Sequence, residues 1–341
     1  MDIVGRILDR DQPPLVVAEM SGNHGGSLQK ALNLVDAAFQ AGADALKLQT
    51  YKPETITVRG NDNRFIIKEG LWSGRSLSEL YEEAMTPWEW HSQIFEKAKS
   101  LGMFCFSSPF DESAVDFLES ELNPPVYKIA SFELNHYPLL KKIARLGKPV
   151  IASVGVSSEE EVRTALEILK ENGSPEIFLL HCVSEYPAQP SDFCLNLMPE
   201  LGQTHGVVFG LSDHSLGHLV SVAATALGAR LIEKHLCLDR ELSSVDGGFS
   251  MLPNEFAEMT SSVHCTYKST IGKKLPSNPA FYKRSILISE PVRKGDCLDE
   301  KNLRIARPGD GLCPSKWEQV LGSKATKDMK VGHPLSLDDI C

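Results

Sequence analysis

The chain has 341 residues, 42% hydrophobic and 23% charged, which is globular composition with length enough for one large core or two domains. A formal net charge of -10 without a long basic run argues against nucleic acid as a main partner. No segment approaches the ~20 uninterrupted apolar residues of a membrane-spanning helix, and the N-terminal MDIVGRILDRDQPPLVVAEM carries acidic residues where a secretory signal needs basic ones. The expectation is a cytoplasmic protein with no membrane partner. None of the eight cysteines forms a CxxC pair, which disfavours a zinc finger. Those in MFCF and LLHCV lie inside apolar runs, as buried free thiols of a reducing compartment do.

In chain order, eight strand-length apolar runs recur: LVVAEM at 15–20, ALKLQT at 45–50, MFCFSS at 103–108, VYKIAS at 126–131, PVIASV at 149–154, IFLLHCV at 177–183, VVFGLS at 207–212 and RLIEKHL at 230–236. Most gaps carry helical patterning. SLQKALNLVDAAFQAGA has apolar residues three and four apart and ends at Gly42, while SSEEEVRTALEILKENG opens on a serine cap with an acidic first turn and ends at Gly173. Strand and helix alternating eight times within about 235 residues predict a closed (β/α)8 barrel of the α/β class. An open doubly wound sheet is the alternative, weakened by the lack of GxGxxG after the first strand.

The connection from Tyr51 to about Ser100 is too long for a simple crossover and is the kind of insertion that covers an active-site mouth. The last barrel helix is predicted in NEFAEMTSSVHCTYKSTIG. Beyond it the texture turns to short strands around Gly and Pro. This places a barrel domain at 1–275, a linker at 276–283 and a small β-rich domain at 284–341.

Barrel chemistry sits at the C-terminal strand ends. The polar residues there are Glu19, Asn23 and His24; Lys47 and Gln49; Ser107 and Ser108; Lys128, Ser131 and Glu133; Ser153; Ser184 and Tyr186; Ser212 and His214; and Glu233 and His235. Two imidazoles on successive strand ends suit a divalent ion such as Mn²⁺, Mg²⁺, Co²⁺ or Zn²⁺, with Glu233 as an acceptor orienting a ligand or bound water. Hydrogen-bonded histidines at a barrel rim are the plainer alternative. Lys47 and Lys128 inside hydrophobic runs are expensive to bury without an anion, and hydroxyls nearby make a pocket for phosphate and carboxylate groups. A Schiff-base lysine, or salt bridges to Glu19 or Glu133, would use the lysines otherwise.

The motifs AEMSGNHGGSLQKAL, AGADALKLQTY, FSSPF, YKIASFE, GLSDHSLG and EKHLCLD, followed by ARPGDGL, together resemble the sialic acid synthases over essentially the whole chain. These are barrel enzymes with a C-terminal antifreeze-like (SAF) domain. AEMSGNH, FSSPF and the segment FIIKEGLWSGRSLSELYEEAMTPWEWHSQIF look most like the pseudaminic acid synthase branch; N-acetylneuraminate synthases usually carry AEIGxNHxG and STPF. The resemblance implies a transferase condensing phosphoenolpyruvate with an open-chain acetamido sugar. For this branch the sugar is 2,4-diacetamido-2,4,6-trideoxy-L-altrose, with Mn²⁺, Mg²⁺ or Co²⁺ as the metal.

Carried over by position, the resemblance implies His214 and His235 as metal ligands. Lys47, Lys128, Ser131, Ser153, Ser184, Tyr186 and Ser212 would hold phosphoenolpyruvate. Ser108 keeps the hydroxyl of a family Thr, and Ser184 stands where the neuraminate branch often has Asn. Glu19 matches a catalytic carboxylate, Asp246 an acid that helps water addition, and Glu133 and Gln49 would face the acceptor. Arg307 would reach the partner subunit's site, which makes a domain-swapped homodimer. An N-acetylneuraminate or legionaminate synthase with the same chemistry is the alternative in class. A class I aldolase using Lys128 and a non-catalytic carbohydrate- or ice-binding protein lie outside it.

Overall fold

In a computed structural model, residues 2–60, 62–241, 245–272 and 281–341 are described. Residues 276–280 of the expected linker lie outside them. The chain divides into two compact units, Met1–Ile271 and Gly272–Cys341.

The first unit is the closed barrel. Its strands are β1 (Leu15–Glu19), β2 (Ala45–Thr50), β3 (Phe104–Pro109), β4 (Tyr127–Ile129), β5 (Val150–Ser153), β6 (Ile177–Cys182), β7 (Val208–Asp213) and β8 (Leu231–His235), arranged in sequence order. All neighbours are parallel, and β8 closes on β1 with Glu19 opposite His235. Each apolar run of the sequence holds one strand. The helices end where the chemistry of their caps requires. Ser27 accepts from the Lys30 N–H at the start of Leu28–Gln40, and Gly42 follows that helix at φ +82°, a conformation costly for any residue with a Cβ. Ser158 and Glu161 form a reciprocal capping box on Glu159–Glu171.

Successive strand residues point to opposite faces, and here the two faces do different work. Leu15, Val17, Ala45, Phe106, Val126, Ile151, Phe178, Leu180 and Leu231 fill the barrel interior, joined by Ile3 and Ile7 of the N-terminal helix Ile3–Leu8. Their neighbours Val16, Ala18, Leu46, Leu48, Leu211 and Ile232 face outward and bury the apolar stripe of Leu28–Gln40 through Ala31, Leu34, Val35 and Ala38. The interior is therefore apolar through the strand starts, and polar inward positions begin only at the strand ends.

The insertion after β2 contains the helices Leu77–Ala84 and His91–Ser100. Its Ile67, Trp72 and Leu80 pack with Val245 of the segment after β8, and the Trp72 indole N–H donates to the Val245 carbonyl at 2.7 Å. The expected final barrel helix is Pro253–Ile271. Among the described residues no helix is long and apolar enough to cross a membrane.

The second unit has an antiparallel pair, β9 (Ser285–Ile288) and β10 (Leu303–Ala306), over a core including Ile286, Ile288, Val292, Leu298, Val320 and Met329. Its buried Asp339 carboxylate gathers Lys327 at 2.6 Å, His333 at 3.0 Å and the Ser336 N–H at 2.9 Å. Arg307 follows β10 and donates through Nε to the Tyr282 carbonyl at 2.6 Å.

Gly210 marks a close approach of β7 to β8. A Cβ there would lie 2.5 Å from the Leu231 carbonyl oxygen and 2.8 Å from Leu180 Cδ2. Gly210→Ala is expected to lower stability by about 1–3 kcal/mol through overpacking. Denaturant unfolding checks this, and an unchanged midpoint would mean the two strands part without strain.

Candidate active site

Seven strand ends place inward side chains at one level of the barrel: Glu19, Lys47, Ser108, Lys128, Ser153, Ser212 and Glu233. All are buried. Lys47 Nζ stands 2.9 Å from Glu19 Oε2, 3.4 Å from Glu233 Oε1 and 3.5 Å from Ser108 Oγ. Lys128 Nζ donates to Ser153 Oγ at 2.7 Å and to the Ile129 carbonyl at 3.1 Å, and lies 4.0 Å from Glu233 Oε1. Glu233 also accepts from the Ser212 hydroxyl at 3.1 Å. The sequence offers Glu233 as an acceptor orienting a metal ligand or bound water; in the structure its carboxylate is engaged by the two lysines and Ser212.

Burial and pairing divide the charges. Burial pushes Glu19 up to about 7 against the pull of Lys47, and burial likewise pushes Glu133 to about 7. Burial would raise Glu233 too, but Lys128 and Lys47 outweigh it and hold that carboxyl below its usual range. Lys47 is raised because Glu19 and Glu233 together overcome its burial, whereas burial dominates at Lys128 and lowers it. Glu233 is thus held toward its ionised form between Lys47 and Lys128, with Glu19 and Glu133 about half-protonated near neutrality. As Glu19 and Glu133 take up protons, positive charge is freed for an anion. Glu133 Oε2 and Glu19 Oε1 are buried without a hydrogen-bond partner among the described residues.

Next to Lys128 lies a hydroxyl cluster. Ser184 Oγ donates to Ser131 Oγ at 3.1 Å, and Ser131 Oγ accepts from the Val156 N–H at 3.0 Å. Gly155 makes the cluster possible, since a Cβ there would fall 2.5 Å from Ser184 Oγ and 3.1 Å from Ser131 Oγ. Sequence reasoning passed over Gly155; its signal was a glycine two residues beyond the polar end of the β5 run.

His214 and His235 stand edge to face, with ring centroids 5.4 Å apart. His214 Nδ1 is 2.8 Å from the Val183 carbonyl, an acceptor only, so in the neutral ring Nδ1 carries the proton and Nε2 the lone pair. His235 Nδ1 is buried without a hydrogen-bond partner among the described residues, 3.8 Å from Asp246 Oδ2. Asp246 is raised by burial and accepts from the Ser21 hydroxyl. Among the described residues no three His, Cys, Asp or Glu side chains form a metal cage. The histidine pair still fits a divalent ion completed by water or substrate oxygens, because each imidazole has a nitrogen left over.

An aromatic wall stands against the imidazoles. The Tyr186 ring lies 4.4 Å from His214, Phe249 4.9 Å from His235, and Trp72 5.3 Å from Tyr186, centroid to centroid. Phe249 is a second residue the sequence reading missed, since it lies beyond the last strand and in no apolar run. Gln49 is half-buried on β2 beside Ser108.

Three of the collected polar residues serve the frame instead. Ser107 and Thr50 share a hydrogen bond at 2.7 Å, and Thr50 reaches His91 at 2.8 Å. Asn23 donates to the Leu236 carbonyl and to Ser250 Oγ, and His24 Nε2 pairs with Thr86 at 3.1 Å. Arg307 belongs to the second unit.

Set beside known proteins, this barrel has a clear place. The NeuB family matches residues 34–274, and the SAF domain matches 283–340. The chain belongs to the NeuB family. The pseudaminic acid synthase of Campylobacter jejuni serotype O:2 is 44% identical over 96% of this chain and 97% of that protein. The pseudaminic acid synthase of Helicobacter pylori is 42% identical over 96% of this chain and 98% of its own length. The crystal structure of the N-acetylneuraminic acid synthetase of Leptospira borgpetersenii, in complex with citrate, has a TM-score of 0.70 at 32% identity, covering 80% of this chain and 90% of that one. As a NeuB-family member the chain is an enzyme, and among these relatives it is most like the pseudaminic acid synthases.

Two outcomes follow from the site. Gly155→Ala is expected to weaken inorganic phosphate binding and, because the new Cβ also meets the Cys182 carbonyl oxygen at 3.0 Å, to lower the melting temperature; undiminished phosphate binding in the folded variant would remove the hydroxyl cluster from the anion site. Sulfate, whose charge is constant near neutrality, is expected to bind more tightly as pH falls from about 8 to about 6, because Glu19 and Glu133 lose negative charge on protonation. Glu133→Gln should flatten that dependence, and a flat profile in the unmodified enzyme would contradict the raised carboxyls.

Proposed function

We propose that this enzyme condenses phosphoenolpyruvate with 2,4-diacetamido-2,4,6-trideoxy-L-altrose and water, giving pseudaminic acid and phosphate. The observation that carries the reading is the pair of buried lysines with one ionised carboxylate between them, beside hydroxyls and two imidazoles. Phosphoenolpyruvate needs cationic and hydroxyl donors in one small volume, close to an activated aldehyde.

Lys47, Lys128 and the hydroxyls of Ser108, Ser131, Ser153, Ser184 and Ser212 hold the phosphate and carboxylate groups in this reading, with Tyr186 along one side. His214 and His235 would hold Mn²⁺, Mg²⁺ or Co²⁺, which supplies Lewis acidity toward the aldehyde oxygen. C3 of phosphoenolpyruvate attacks the aldehyde carbon, water adds at C2, and the tetrahedral intermediate expels phosphate by C–O cleavage. The new hydroxyl gains one proton and the added water gives up its own. Glu19, half-protonated near neutrality, can give or take a proton at the reacting carbons, and Asp246 beside His235 can assist the water. Glu133 and Gln49 lie on the acceptor side. The wall of Trp72, Tyr186 and Phe249 offers apolar surface to acetamido and deoxy-methyl groups, and the higher identity to pseudaminic acid synthases than to the neuraminic acid synthetase supports the same acceptor.

The reading extends to a cytoplasmic, domain-swapped homodimer in which Arg307 of one protomer serves the other's acceptor sugar. Mixing Arg307→Ala with Lys128→Ala chains should then regenerate one intact site per mixed dimer. No recovery of activity on mixing would put Arg307 in its own chain's site or outside catalysis.

Phosphate release from phosphoenolpyruvate, with the diacetamido-altrose and N-acetylmannosamine offered in parallel, tests the whole. Turnover with the altrose, lost with EDTA and in His214→Ala/His235→Ala, is expected. Turnover only with N-acetylmannosamine would move the acceptor, and activity indifferent to EDTA would remove the metal. Lys128→Ala should raise the KM for phosphoenolpyruvate at least tenfold, roughly the loss of one charge-assisted bond. Trapping of Lys128 by borohydride would instead mark a Schiff-base aldolase.

A further inference from the structure

Behind the two histidines, on the outward face of the same strand ends, lies an ion pair that the chemistry above does not use. Asp213 ends β7 and is the register partner of Lys234 on β8. Lys234 Nζ reaches Asp213 Oδ2 at 2.9 Å and the Ser215 carbonyl at 2.6 Å. Both side chains are almost wholly buried, at 1% and 0% exposure. Asp213 Oδ1 accepts from the Ser215 N–H at 2.8 Å and the Ser215 hydroxyl at 2.6 Å, and Oδ2 accepts from the Ser221 hydroxyl at 2.6 Å.

The residues gripped are the immediate neighbours of the imidazoles. Asp213 and Ser215 flank His214, and Lys234 precedes His235. The main chain at His214 is held from the other side as well, its carbonyl accepting from the Ala188 N–H at 3.1 Å. A buried ion pair is a poor source of stability, because desolvation offsets much of its Coulombic gain and an apolar pair of similar volume often serves as well. What an apolar pair would not supply is directional attachment of one strand end to the turn of the next.

We infer that Asp213 and Lys234 are positioning residues: their ion pair fixes the ends of β7 and β8 against each other and so sets the spacing of His214 and His235 for a divalent cation. The inference rests on the metal reading of the histidine pair given above.

The test uses the full chain and two ligands. Mn²⁺ affinity is measured by electron paramagnetic resonance, and phosphoenolpyruvate affinity by calorimetry in EDTA, for the unmodified chain and for Asp213→Leu/Lys234→Met. The double substitution removes the pair without leaving an orphan charge. The expected result is Mn²⁺ affinity reduced at least about tenfold, the size of loss typical when the support of a metal ligand is removed, with phosphoenolpyruvate affinity within about twofold of the starting value, since Lys47 and Lys128 are untouched. Equal loss of both affinities, or loss of neither, would overturn the inference.

If the double variant does not fold, Lys234→Met decides, because it removes the ion pair while Asp213 keeps its bonds from Ser215 and Ser221. A selective loss of Mn²⁺ affinity supports the positioning role, and unchanged affinity in the folded variant ends it. An unmodified chain that binds no Mn²⁺ fails the metal reading itself, and the inference falls with it.

Discussion

Burying two ammonium groups at the mouth of a barrel is the constraint around which the site is arranged. Neither Lys47 nor Lys128 reaches bulk water, so each must be compensated locally. Glu233 serves both, lying within 4.0 Å of each and held below its usual carboxyl range by them, while Glu19 stands closer to Lys47 at 2.9 Å. Glu19 takes the opposite part: fully buried beside Lys47, it is pushed up to about 7 and can change protonation near neutrality. Two carboxylates on adjacent strands, β1 and β8, are thereby given different roles by their surroundings alone. One is held as a counter-charge and the other titrates near neutrality.

The pleat of the strands separates chemistry from support. Inward positions near the strand ends carry ionisable and hydroxyl groups, while two outward places carry polar struts. Thr50 and Ser107, tied to His91, stand behind Gln49 and Ser108, and Asp213 with Lys234 stands behind the histidines. The struts are polar and almost fully satisfied, which makes them directional in a way that the surrounding Leu, Val and Ala contacts are not.

How much of this could be read from the sequence depends on the range of the interaction. The strands were legible because a parallel barrel buries both faces of each strand and so writes nearly continuous apolar runs. Lys47, Lys128, His214 and His235 stood out because they interrupt or end such runs. Alternation correctly put Lys47 and Gln49 on one face, but it says nothing about partners across the barrel. That is why the lysines of β2 and β4 beside Glu233 are not written in the sequence around it. Asn23, His24 and Ser107 were polar at the right level yet are spent on the frame, and a residue's type does not announce that. Gly155 and Phe249 act through space left free or filled by distant residues, which no local pattern records.

The bond from the Trp72 indole to the Val245 carbonyl joins segments 173 residues apart in the chain. Through it, the insertion after β2 shares one small apolar cluster with the segment that bears Asp246 and Phe249. The roof of this site is thus a two-part assembly whose halves are inherited far apart in the gene. A chimera that transplants the insertion from another family member would break the joint unless the segment around 245–249 travels with it. Substrate range within this architecture should therefore drift by paired replacements, not by exchange of a single loop.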